Sequence, residues 1–98
     1  MYARMVIGEA ISDEQVSEFE RIYQMDVLPR LKDEPGFQSA RLMVEEGGRM
    51  AVSLTLWDTR TDCLKYHSSR AYRLFVAKTQ HLLVGDFVVK LFKDVGGN

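Results

Sequence analysis

The sequence predicts an α+β fold of the ferredoxin-like kind, with element order βαββαβ: a four-stranded antiparallel sheet carrying two helices on one face. Three observations predict it. An apolar, β-branched run opens the chain from Tyr2 to Ala10, and a capped helical pattern follows from Ser12. Two further strand-like runs then flank Gly47-Gly48, and a second helical pattern leads into a closing strand. Many unrelated functions use this fold, so activity has to be read from particular side chains.

Each element has its own local cause. Ser12-Asp-Glu-Gln15 is a capping box, in which the Ser12 hydroxyl accepts from the Gln15 amide and the Gln15 side chain reaches back. Val16, Phe19, Ile22 and Tyr23 recur at helical spacing. The helix runs past Met25 to Pro29, which lacks an N–H and kinks it or ends it locally, and Glu34-Pro35-Gly36 stops it. Phe37–Glu46 and Met50–Trp57 form the central strands. Asp58-Thr59-Arg60-Thr61 turns into the second helix, which Ser68-Ser69 interrupts because Ser69 can cap a fresh turn. Leu64, Ala71, Tyr72, Phe75, Val76, Thr79, Leu82 and Leu83 make its buried stripe. Gly85 caps the end, Phe87–Phe92 is the last strand, and Val95-Gly96-Gly97-Asn98 frays.

Hairpin register decides which side chains share a face, because a slip of one residue moves a whole strand's set to the other side. A two-residue Gly47-Gly48 loop opposes Leu42 to Ser53 and Val44 to Ala51. A three-residue loop, Gly47-Gly48-Arg49, opposes Leu42 to Leu54 and Val44 to Val52. The second gives one continuous apolar face from Ala40, Leu42, Val44, Val52, Leu54 and Leu56, and is the register expected here. The other face then carries Tyr2, Arg4 and Val6; Phe37, Ser39, Arg41 and Met43; Ala51, Ser53, Thr55 and Trp57; and Val88, Lys90 and Phe92. A solvated face should be mostly polar. This one is half apolar and aromatic, so a second copy of the chain is expected to cover it, with the arginines and Lys90 at the rim or against carboxylates of that copy, Glu45 among them.

Composition bounds the rest. Ninety-eight residues make a single domain over 1–98, short enough to bury only about two-thirds of its unfolded surface. Thirteen Lys plus Arg against fourteen Asp plus Glu, with no basic stripe, argue against a nucleic-acid partner. One cysteine, Cys63, excludes an intrachain disulfide and a Cys-rich zinc site. The N-terminal run, broken by Arg4, Gly8 and Glu9, lacks a signal-peptide core, and no segment approaches the ~20 apolar residues of a membrane span. The expectation is a reduced, cytoplasmic protein with no membrane partner. Its two histidines, His67 and His81, are fourteen residues apart with no supporting carboxylate spacing, so no metal site is expected.

Two stretches carry the chemistry. Leu54-Thr-Leu-Trp57-Asp-Thr ends a strand on the only tryptophan, and Tyr66-His67-Ser68-Ser69-Arg70-Ala71-Tyr72-Arg73 sits in the second helix. An imidazole titrates near neutrality and is the usual general base. His67 can equally be an exposed or hydrogen-bonded helix residue, and Trp57 a packing residue at a corner.

The order of strand, Trp-[Asp/Glu]-[Ser/Thr], helix and Ser-x-x-[Tyr/Phe]-[Arg/Lys] resembles the antibiotic biosynthesis monooxygenase family of the dimeric α+β barrel superfamily. The resemblance implies a homodimer paired through the open sheet face. It also implies a monooxygenase without metal or organic cofactor, acting on a small aromatic or quinol-like compound. A base takes a phenolic or enolic proton and the resulting anion meets dioxygen directly. On that reading His67 is the base, Tyr66 and Arg4 orient the anion, and Trp57, Tyr72 and Phe75 are pocket walls. One branch of the family degrades haem. Its pattern, carried over without gaps, puts Tyr66 where that branch keeps a pocket tryptophan and Val76 where it keeps the iron-binding histidine. Valine cannot ligate iron, so haem degradation is disfavoured. The alternative reading is a non-catalytic homodimer that binds a small molecule or regulates.

Overall fold

A computed structural model describes residues 1–97, and Asn98, the last residue of the expected frayed end, lies outside the described residues. Four strands, β1 (Tyr2–Glu9), β2 (Phe37–Val44), β3 (Met50–Trp57) and β4 (Val88–Lys93), form one antiparallel sheet in the order β2-β3-β1-β4. Two helical stretches cover one face. The βαββαβ order and the α+β fold are as the sequence predicts.

Both helical stretches are broken, each for a local reason. The first starts at α1 (Asp13–Ile22), where the Ser12 hydroxyl accepts from the Gln15 amide and donates to the Gln15 side-chain oxygen. It widens into a π-turn over Tyr23–Val27 before α2 (Leu28–Leu31). The Leu28 amide bonds to the Tyr23 carbonyl, five residues back, one residue ahead of Pro29. The chain thereby absorbs the missing proline N–H in a π-turn and continues as helix past Pro29, where the sequence predicts a kink or a local end. The second stretch divides at Ser68-Ser69 into α3 (Arg60–His67) and α4 (Arg70–Thr79), with the Ser69 hydroxyl accepting from the Tyr72 amide at 3.2 Å. In a continuous helix Tyr66 and Tyr72 would point ~120° apart, since each residue advances about 100°. The break brings both rings to one cavity. A 3₁₀ turn (Gln80–Leu82) follows α4, and Gly85, at φ 75°, turns the chain toward β4 three residues beyond that turn.

The hairpin register departs from expectation. Leu42 opposes Ser53 and Val44 opposes Ala51, the arrangement of the shorter loop. The Gly48 amide bonds to the Glu45 carbonyl across a tight turn with Gly47 at φ 72°, and the Glu45 amide pairs with the Met50 carbonyl. The faces of β1 and β3 are therefore exchanged. Tyr2, Arg4, Val6, Ala51, Ser53, Thr55 and Trp57 face the helices, and a bulge at Gln38 adds Phe37 beside them. Ala3, Met5, Ile7, Val52, Leu54 and Leu56 lie on the uncovered face, with Ser39, Arg41, Met43, Val88, Lys90 and Phe92 as expected. Arg4 is accordingly an interior residue, not a rim residue. The apolar-face criterion failed because the interior of this sheet is partly polar and its bare face is the more apolar one.

The core gathers between sheet and helices around Trp57, Tyr23, Leu31 and Cys63, all nearly inaccessible. Eight aromatic rings, from Phe19 to Phe87, touch in series through it, contacts that add to simple area burial.

Candidate active site

Arg4 projects from the second position of β1's interior row into this aromatic layer and is 2% exposed. Its Nε donates to His67 Nδ1 at 3.1 Å. Its guanidinium carbon lies 4.1 Å from the Tyr72 ring centre and 5.6 Å from that of Tyr66. Both distances are within cation–π range. Its Nη2 is buried with no hydrogen-bond partner. The three ion pairs among the described residues lie at the surface, and none involves Arg4. A buried guanidinium without a carboxylate is costly unless something negative completes it.

Trp57 ends β3 with no exposed surface, and its indole Nε1 donates to Thr55 Oγ1 at 3.0 Å. Thr55 in turn donates to the Arg4 carbonyl at 3.4 Å. Tyr66 stacks on Trp57 with ring centres 5.2 Å apart. Burial pushes the Tyr66 phenol up to about 12, against the opposing pull of Arg4. His67 is the last residue of α3, half-buried and stacked on Tyr72 at 5.5 Å. Burial and then the Arg4 charge hold its imidazole below the usual range, so it is neutral at pH 7. With Nδ1 accepting from Arg4, the ring proton of neutral His67 sits on Nε2.

Two separate spaces share Tyr72 as a wall. The inner one, about 10 Å³, lies among Arg4, Tyr23, Ser53, Thr55, Tyr66 and Tyr72. A volume of roughly this size holds one water. The outer one is a cleft of 290 Å³ between α4 and β4, lined by Tyr72, Val76, Gln80, Asp86, Phe87 and Val89. It is close to the lower end of volumes that take a small organic ligand. Between the π-turn and α4 a narrow groove is lined by Ile22, Asp26, Tyr66, Leu74 and Phe75.

The structure brings Arg4, Tyr66, His67 and Tyr72 together, with Trp57 behind Tyr66 and Phe75 at the cavity's wall. Sequence reasoning missed Tyr23, Ser53 and Thr55. The Tyr23 hydroxyl bonds to Ser53 at 2.8 Å, and burial raises the Tyr23 phenol. The signal was present: Ser53, Thr55 and Trp57 alternate on one strand, and two small polar residues in an otherwise apolar strand mark a lined cavity. His81 is exposed and apart from the site. Cys63 is fully buried, its thiol pushed up by burial, and is therefore unreactive. Among the described residues no three His, Cys, Asp or Glu side chains gather as a metal site would require.

A family model described as antibiotic biosynthesis monooxygenase matches residues 4–78. No curated protein sequence matches the chain. Among solved structures, the monooxygenase from the gene ActVA-Orf6 of Streptomyces coelicolor, in complex with nanaomycin D, superposes with a TM-score of 0.86 at 14% identity. The match covers 99% of this chain and 89% of that one. SnoaB, a cofactor-independent oxygenase from Streptomyces nogalater, gives 0.82 at 13% identity over 98% and 94%. Rv0793 from Mycobacterium tuberculosis gives 0.79 at 15% over 99% and 98%. At these identities the likeness is one of fold.

Proposed function

The chain belongs to the antibiotic biosynthesis monooxygenase family, and on that premise we propose that it is a cofactor-free monooxygenase acting on a small aromatic or quinol-like compound. The observation that carries this reading is Arg4, a buried guanidinium with an unpaired Nη2 set in a cage of tyrosines. A ring hydroxyl placed against Nη2 ionises more readily, because the adjacent cation favours its charged form. Its proton passes to His67 Nδ1, and Arg4 Nε gives up that contact in exchange for the new oxyanion. Tyr66, protonated up to about pH 12, can donate to the same oxygen. Trp57, Tyr72 and Phe75 exclude water from the electron-rich ring, which then meets dioxygen directly. The family relative SnoaB is described as cofactor-independent, which supports the absence of a cofactor step here.

The active form in this reading is a homodimer. Ala3, Met5, Ile7, Val52, Leu54, Leu56 and Phe92 make an uncovered apolar sheet face, too large a patch to leave to water. No helix of the described residues is long and apolar enough to cross a membrane.

Oxygen uptake tests the activity. Wild type is offered a panel of naphthols, anthrones and hydroquinones in an oxygen electrode, with Arg4→Met beside it. Uptake above autoxidation, lost by about a hundredfold or more in Arg4→Met, is expected. Uptake at the autoxidation rate with every compound overturns the reading. A second reading, binding without turnover, is favoured by one observation: the only lone pair of neutral His67 is already engaged by Arg4.

A further inference from the structure

We propose that the resting protein binds a monatomic anion, a halide of the size of chloride or bromide, in the inner cavity beside Arg4. The inference goes beyond the monooxygenase reading, since it needs neither turnover nor an aromatic ligand. Three features carry it. The first is charge. Arg4 is 2% exposed, its Nη2 is buried without a partner, and none of the residues lining the cavity is acidic. His67 accepts from Nε but brings no negative charge. A cation so placed is completed only by an anion from solution. The second feature is space. The cavity, at about 10 Å³, takes one atom of that kind and no polyatomic anion. A water fits as well, but leaves the cation uncompensated. The third is a further donor. The hydroxyls of Tyr23 and Ser53, both at the cavity wall, lie 2.8 Å apart and share one proton, so one O–H of the two is left to give. Thr55 adds none, because its hydroxyl already donates to the Arg4 carbonyl and accepts from Trp57. The rest of the wall is apolar, with Val6, Val27, Leu31 and Phe75, and favours the weakly hydrated larger halides over fluoride.

Thermal unfolding of wild type in sodium bromide, sodium chloride and sodium gluconate at matched ionic strength tests it. Gluconate screens charge equally and is too large for the cavity. The two halides should raise the melting temperature saturably and gluconate should not. A ligand bound by the folded state alone gives a rise of roughly 6–11 °C at ten times its dissociation constant in a domain of this size. Arg4→Met should show no halide-specific rise. In crystals grown from bromide, anomalous X-ray scattering should place the ion between Arg4 and the Tyr23–Ser53 pair. A melting temperature that follows ionic strength alike in all three salts overturns the proposal, with water in the cavity instead. A halide-specific rise that Arg4→Met keeps, or an anomalous peak elsewhere, overturns it too. The wild-type salt series and the position of the ion decide even if the variant does not fold. Titrating bromide with and without 4-nitrophenolate separates this site from the substrate reading. Competition is expected, since both anions take the same cation. Bromide binding that 4-nitrophenolate leaves untouched would keep the ion site and remove the cavity as the place of the substrate's oxyanion.

Discussion

Arg4 and His67, sixty-three positions apart in the chain, are joined by a single hydrogen bond of 3.1 Å from Nε to Nδ1. The bond ties the first strand to the end of α3 and fixes the imidazole tautomer. The guanidinium carbon lies 4.1 Å from the Tyr72 ring centre, and Nη2 is buried without a partner. A cation is held inside the fold with its Nη2 unpaired. A buried cation left without a counter-charge costs fold stability.

Arg4→Met should therefore separate function from stability. Methionine keeps the apolar stem's volume and removes an unpaired buried charge. Replacing buried charged groups by apolar residues of similar volume is often neutral or stabilising by about 1–4 kcal/mol. The melting temperature should hold or rise, while binding of 4-nitrophenolate and any oxygen uptake disappear. Thermal unfolding followed by circular dichroism checks it; a fall of more than about 8 °C, the equivalent of 1–2 kcal/mol in a domain this size, would show that Arg4 mainly holds the fold.

Acid should destabilise the protein through His67. Its folded pKa lies below the unfolded value of 6.5, so below about pH 6.5 the unfolded chain binds the proton first and stability falls as pH falls. Protonation at Nδ1 also turns an acceptor into a donor facing Arg4 Nε–H. His67→Asn removes the titration and retains the acceptor. Melting curves of the two proteins from pH 8 to pH 5 should run parallel above neutrality and diverge below it, with wild type falling faster. Parallel curves throughout would show that the imidazole is not protonated at a cost.

Alkali should act through Tyr66. Its phenol, pushed up to about 12 by burial, keeps its proton in the fold when the unfolded chain loses it near 10. The stability it contributes is complete below pH 10 and is lost as pH rises toward 12. Tyr66→Phe should flatten that loss relative to wild type while keeping the stack on Trp57. Tyr66→Ala removes the ring itself and should cost about 3–5 kcal/mol, as for other large aromatic truncations. Denaturant unfolding read by the fluorescence of Trp57, the only tryptophan, measures both.

Much of this was legible beforehand, and the part that was not has one cause. The order of elements, the Ser12 and Ser69 caps, the disturbance at Pro29 and the pairing of Tyr66 with His67 are local features. Capping boxes, prolines and helical spacing announce such features within a few residues. Residue type alone points to Arg4, Tyr66, His67, Tyr72 and Trp57, but the sequence pattern places Arg4 on the wrong side of the sheet. Strand faces rest on register, and register was inferred from the rule that apolar residues face the helices. Ser53 and Thr55 break that rule because they serve Tyr23 and Trp57 inside the molecule. The uncovered face meanwhile gathers Met5, Leu54 and Phe92. Where a sheet carries polar side chains on its covered face and an apolar set on its bare face, polarity reverses, and pattern alone points the wrong way.

The same reversal gives a sharp test of assembly. Leu54 opposes Met5 on the uncovered face, and Ser53 beside it points inward to Tyr23. Leu54→Glu puts a charge in the middle of the apolar patch without touching the core. If a second copy covers that patch, burying an unpaired carboxylate in the interface costs several kcal/mol. The variant should then run as a folded monomer, with unaltered circular dichroism, where wild type runs as a dimer. Ser53→Leu should do the reverse: it crowds Tyr23 and the Arg4 cavity, lowers the melting temperature, and leaves association intact. Sedimentation velocity at several concentrations reads both. A Leu54→Glu protein that still dimerises would move the partner surface off this face. A wild type that is monomeric throughout would remove it.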